Sequence, residues 1–157
     1  LKHFAALSIG LGVFAMPALA QDATAIAKVQ SGQSCPGCNL FQADLSYREG
    51  RKMNLSSARL RQSDLSLATY DDVNLTGANL SVANLFGARF NRANFKDANL
   101  ENATAVGTFF GGANLSGANL SGADLKIARG LSQAQLNSAC GDASTKLPSG
   151  KTIPSCS

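Results

Sequence analysis

Residues 78–127 read ANLSV-ANLFG-ARFNR-ANFKD-ANLEN-ATAVG-TFFGG-ANLSG-ANLSG-ADLKI, ten blocks of five without a gap. Carried outward, the register runs from Leu40 to Leu125. Of its 18 central positions, 16 hold Leu, Phe or Tyr, and only Gly50 and Ala105 break the run. A small residue stands two places before most centres, and Asn or Asp commonly lies between the two. A fixed internal period is the first thing to settle, because it decides the architecture.

Five fits neither the 3.6-residue period of a helix nor the two-residue period of a flat strand. It fits a short extended step followed by a turn. The centre and the small residue two before it then share the inner side, and the other three residues face out and make the corner. Asn and Asp suit that corner, since their side chains bond nearby backbone and tolerate turn geometry. Gly77, Gly87, Gly107, Gly112, Gly117 and Gly122 argue against helix, where each would cost about 1 kcal/mol.

The blocks at 78–82, 113–117, 118–122 and 123–127 resemble the A-(D/N)-L-x-x motif of pentapeptide-repeat proteins. The resemblance covers residues 38–127 and implies an all-β, right-handed quadrilateral β-helix with four pentapeptides per coil. Eighteen pentapeptides then make about 4.5 coils, a rod of roughly 22 Å. Arg48, Gly50 and Met53 lead us to expect distortion over 46–54, and Thr108 with Phe109 a second irregularity. Stacking by 20 places Arg51 and Lys52 against Asp71 and Asp72, and these against Arg92, as a ladder of alternating charge. Tyr70, Phe90 and Phe110 form an aromatic column expected to be core rather than a cofactor pocket.

Around the repeats we expect a signal peptide at 1–20, an N-terminal cap at 21–37, the β-helix at 38–129 and a C-terminal cap at 130–157. Lys2 and His3, the apolar run 4–16 and Ala18-Leu19-Ala20 before Gln21 have the order of an export signal. The expected location is therefore periplasmic or secreted, with no membrane span after signal removal. Ile26 and Val29 suggest a short lid over 22–30. Ser132 and Gln135 form a capping box that opens a helix to about Ala139, with Leu131 and Leu136 closing the last coil.

Export would place Cys35, Cys38, Cys140 and Cys156 in an oxidising compartment. Cys140 and Cys156 are expected to form a disulfide across an extended tail. Cys35 and Cys38 are expected to be a disulfide or buried thiols on inward positions; the alternative is a redox dithiol, although no strand–helix context surrounds the motif.

Outside residues 1–20 there is no His, no nucleophile beside a base and no gathered carboxylates, so an enzyme is not expected; nor is any cofactor or metal. Asp71-Asp72 reads as a solvated corner. Nine basic and eight acidic residues between 38 and 127 leave no acidic stripe for DNA mimicry of the kind that some pentapeptide-repeat proteins use toward topoisomerases. Nor is there a basic stripe for nucleic acid. The expected function is that of a non-enzymatic exported structural or protein-interaction module, with a thiol redox protein or a topoisomerase-binding DNA mimic as alternatives. Its candidate interaction stripe is Tyr47, Leu67, Phe86, Val106, Phe109 and Ile127, flanked by Phe41 and Val82. The partner would be an unknown protein or a second copy, unless the termini cover the stripe.

Overall fold

The structure, a computed structural model, describes residues 21–157; the expected signal segment at 1–20 lies outside them. Single-residue parallel bridges join positions 20 apart: Asn39 to Arg59, Asp44 to Asp64, Glu49 to Thr69, Asn54 to Asn74, and onward to Phe109 with Arg129. One coil therefore takes 20 residues. Only the residue between the two inward positions is bridged, because turns on both sides leave no room for a longer strand. Leu45 N–H donates to the Asp64 carbonyl at 2.7 Å, and Asp64 N–H donates to the Ala43 carbonyl at 2.9 Å. The same pair of bonds recurs from coil to coil.

The corners follow from the same five-residue rule. Ala58 N–H closes on the Leu55 carbonyl at 3.1 Å, and the second residue after each centre has positive φ, as the third position of a type II turn demands. Asn or Asp completes the corner: Asn74 Oδ1 accepts from Thr76 N–H at 3.0 Å, and Asn119 Oδ1 from Ser121 N–H at 2.9 Å.

The register holds where distortion was expected, although residues 51 and 52 form an open bend rather than a closed turn. Gly50 is a buried centre, and a Cβ there would collide with Sδ and Cε of Met53. The Met53 side chain thus occupies the space that a larger centre would use. Arg48 stands at a small-residue position but is exposed; its coil is the first, so the long side chain can leave at the end of the rod. Thr108 is fully buried and donates its hydroxyl to the Leu85 carbonyl at 2.6 Å. Phe109 bridges both Arg89 and Arg129.

The core is a continuous column of Leu and Ala with one aromatic side. Phe90 lies 6.1 Å from Tyr70 and 6.4 Å from Phe110, ring centre to ring centre. Phe95, from the neighbouring side, packs edge-on at 5.2 Å from Phe90 and 5.8 Å from Phe110. All four rings are fully buried, so the aromatic column is packed core.

Both ends of the rod are covered. Helix α1 (Ala23–Gln30), capped by the Asp22 side chain, buries Ala25 and Val29, while Ile26 is only partly buried. Gln21 and Gln30 donate their side-chain amides to the Gln42 and Asp44 carbonyls of the first coil. At the other end, helix α2 (Gln133–Asn137) carries the Ser132–Gln135 capping box and buries Leu136. The Gln135 amide donates to the Phe110 and Ala113 carbonyls at 2.8 and 2.9 Å. The Gln30 and Gln135 amides thereby satisfy the Asp44 and Ala113 carbonyls, whose equivalents in mid-rod bond to a neighbouring coil.

The chain after α2 does not trail back along the rod. It adds two rungs in a shifted register, Asn119 with Cys140 and Asp124 with Lys146. Thr145 then donates to the Leu120 carbonyl at 3.0 Å. The expected extended tail is thus a folded lid, held because its backbone pairs with the last coil.

Candidate interaction surface

Positions 46 and 47 of the first coil, with every twentieth residue above them, form one corner of the rod. Tyr47, Leu67, Gly87, Gly107 and Ile127 share one column; Phe86 and Val106 share the next. Tyr47 is 73% exposed, Ile127 70%, Phe86 49% and Leu67 44%. Val106 and Phe109 are half-buried. Phe109 stands one face further on, where the Arg129 guanidinium lies 5.3 Å from its ring centre. The Leu67 side chain lies over Gly87, where a Cβ would come within 2.8 Å of Leu67 Cδ2.

Among the described residues neither end covers this corner: α1 sits on the first coil and the tail on the last. The apolar residues also sit where the backbone disfavours them. Tyr47 has φ 56°, Leu67 57° and Ile127 50°, while Val82, 46% exposed on the preceding corner, has 59°. Left-handed backbone suits Gly and Asn, and costs a β-branched residue more than most. The same left-handed position is held by Gly at Gly77 and Gly107, and by polar residues such as Gln42, Ser57, Gln62 and Asn102. Left-handed backbone thus recurs at every corner, and among the described residues only at Tyr47, Leu67, Val82 and Ile127 does it carry a large apolar side chain.

The next face along, carrying Glu49, Thr69, Arg89, Phe109 and Arg129, differs from the others in lacking Asn or Asp throughout. Here the turn is served from the coil below. Asp71 Oδ1 accepts from Asn91 N–H at 3.0 Å, and Asn91 Oδ1 accepts from Gly111 N–H at 3.2 Å. Asp71 also receives Arg89 at 2.7 Å and is only 3% exposed. The expected solvated Asp71-Asp72 corner is thus half wrong, since Asp71 is a buried cap. The missing Asn before Tyr70 and Phe90 was the signal for it. Asp72 belongs to the expected ladder, taking Arg92 in two bonds of 2.7 and 2.9 Å, with Arg51 at 3.8 Å. The Arg92 hydrogen bond holds the Asp72 carboxyl below its usual range.

Cys35 is joined to Cys38, and Cys140 to Cys156, with Cα atoms 5.5 and 4.8 Å apart. Cys35 is a buried centre in register with Leu40, so the repeat begins one block earlier than residue 38: Cys35 N–H donates to the Asn54 carbonyl, and Gly37 carries the left-handed turn. Among the described residues no cluster of His, Cys, Asp or Glu could hold a metal ion, and no helix is long and apolar enough to cross a membrane.

A family model described as pentapeptide repeats matches in eight copies, over residues 54–92 and 93–126. No curated protein matches the chain in sequence. Among solved structures, the pentapeptide repeat protein Rfr23 from the cyanobacterium Cyanothece 51142 is 29% identical. That match covers 79% of this chain and 97% of Rfr23, with a TM-score of 0.56. HetL of Nostoc sp. strain PCC 7120, involved in heterocyst differentiation regulation, is 26% identical over 78% of this chain and 60% of its own, with a TM-score of 0.41. A pentapeptide repeat protein of the Arabidopsis thaliana thylakoid lumen is 32% identical over 59% and 68%, with a TM-score of 0.37.

Proposed function

We propose that this chain, which belongs to the family of pentapeptide-repeat proteins, is a non-enzymatic interaction module that works through its apolar corner. On this reading the coil is right-handed and four-sided, with about 4.5 turns over 38–127. The observation that carries the proposal is the exposure of Tyr47, Leu67, Phe86 and Ile127 along one corner of the rod. Exposed hydrophobes scattered singly need no explanation, but a contiguous one-sided set points to an interface.

The module is proposed to act in the periplasm or outside the cell. The order of residues 1–20 and the two cysteine pairs support that location. Mass spectrometry of the protein from its source should find a chain beginning at Gln21; residues 1–20 retained there would exclude export by this route. The interaction itself is tested with Phe86→Ser combined with Val106→Ser. The expected result is loss of the bound partner, whether a copy or another protein, with the melting temperature little changed. Full retention of partner by a folded double variant would show that the corner does not bind.

A further inference from the structure

The two faces that meet at the apolar corner carry opposite charge. On one flank Asp44, Asp64 and Asp124 share a single column, with Asp124 paired to Lys146 at 3.6 Å. On the other, Arg48, Arg89 and Arg129 stand with one acid, Glu49, and Arg89 is paired with Asp71 at 2.7 Å, which among the described residues leaves Arg48 and Arg129 as the free cations of that flank. Asp44 and Arg48 are both exposed and lie on the same coil, and neither has an ion-pair partner among the described residues. Asp44 spends Oδ1 on the N–H and hydroxyl of Ser46, bonds that favour its ionised form.

From this arrangement we infer that the occupant of the corner is a second copy of the chain, laid alongside in parallel about a two-fold axis that runs with the rod. The inference rests on the corner being a binding surface. Rotation about such an axis carries the acidic flank of one rod opposite the basic flank of the other at the same level, Asp44 facing Arg48 twice over. A two-fold axis perpendicular to the rod would instead set acid against acid, and so would be repelled. A partner of uniform charge would meet one hostile flank in any pose. Self-complementarity is what a closed two-fold interface requires.

The apolar column lies on the axis itself. Coils spaced about 4.8 Å apart put Tyr47 and Ile127 about 19 Å from each other. Each would meet its own counterpart rather than the other end of the column. Four large exposed side chains, Tyr47, Leu67, Phe86 and Ile127, make up the patch, so a weak assembly in the micromolar range is expected.

Sedimentation of the purified protein with its disulfides intact gives the test. The wild type is expected to run as a dimer at high micromolar concentration. Asp44→Arg is expected to weaken it at least ~10-fold, and Asp44→Arg with Arg48→Asp to restore it to within about threefold. Tyr47→Cys alone is expected to crosslink two copies on oxidation. A monomer at every concentration overturns the inference, as does a charge swap no better than the single change. Crosslinking only when Tyr47→Cys is mixed with Ile127→Cys overturns it too, because that signals an antiparallel pair. A monomer that still loses another captured protein through Phe86→Ser with Val106→Ser overturns the second copy and leaves the binding corner standing. Loss of neither overturns both.

Discussion

Ile127→Asn should make the protein more stable, an unusual outcome for removing a large hydrophobe. Ile127 sits at φ 50° with 70% of its surface in water. Left-handed backbone costs an L-residue roughly 1–2 kcal/mol, and Asn far less because its short polar side chain can bond locally. Full burial of an Ile side chain is worth about 1.5–3 kcal/mol, so the three-tenths that is covered contributes about 0.5–0.9 kcal/mol. Strain relief exceeds the lost burial by about 0.5–1 kcal/mol. For a chain of this length that corresponds to a rise of about 1–4 °C in melting temperature. The assay is thermal unfolding followed by circular dichroism, with disulfides intact and protein dilute enough to be monomeric, since association would add its own stability. Leu125→Asn, two residues earlier at a fully buried centre, is the contrasting control and should cost more than about 3 kcal/mol. A fall in melting temperature for Ile127→Asn would refute the reasoning, because it would mean that the side chain holds the turn together and needs no interface to account for it.

Leu115→Asp should destabilise by more than about 4 kcal/mol, and Ser116→Asp by no more than about 0.5 kcal/mol; equal melting temperatures would place the inner and outer positions wrongly. Tyr70 is fully buried and its hydroxyl has no hydrogen-bond partner among the described residues, so Tyr70→Phe should stabilise by about 1–2 kcal/mol. Burial raises the Tyr70 pKa; its contribution is thus intact below the unfolded value of about 10 and lost as pH rises beyond it, and Tyr70→Phe should flatten that alkaline loss in melting curves taken from pH 8 to 11. Gly50→Ala should cost about 1–3 kcal/mol by displacing Met53, and adding Met53→Ala should recover part of it; additive losses in denaturant titrations would separate the two sites. Replacing Cys140 and Cys156 together by Ser should cost about 3 kcal/mol, and replacing Cys35 and Cys38 much less, as judged by urea midpoints, because the second pair closes only a short loop.

The coil was legible because each turn resets the chain, so one rule repeated from Leu40 to Leu125 determines every inner position. The cap at Ser132–Gln135 was legible for a local reason, two side chains three residues apart that serve each other's backbone. Asp71 was not. Its partners are Arg89 and the backbone of Asn91, 18 and 20 residues away, and its role arises only because Thr69 and Arg89 occupy positions that normally supply an Asn. Gly50 looked like a break because its neighbour in space, Met53, belongs to the next face. The path of 141–157 could not be read for a related cause: its pairing slips by one and then two residues against the coil below, and a slip leaves no periodic trace. Of the candidate surface, the sequence located the corner, but the left-handed backbone beneath Tyr47, Leu67 and Ile127 became visible only in three dimensions.

The bridging hydrogen bonds, each joining one coil to its immediate neighbour, also set how the rod responds to force. Pulled along its axis from the two ends, such a stack loads one rung at a time rather than all together, so it should peel like a zipper. Each coil released frees 20 residues, about 70 Å of extended chain. The two disulfides join residues 3 and 16 apart, and so neither staples one interior coil to another. A pull across the axis loads many rungs in parallel shear and meets far greater resistance. The molecule is stiff sideways and yielding lengthwise.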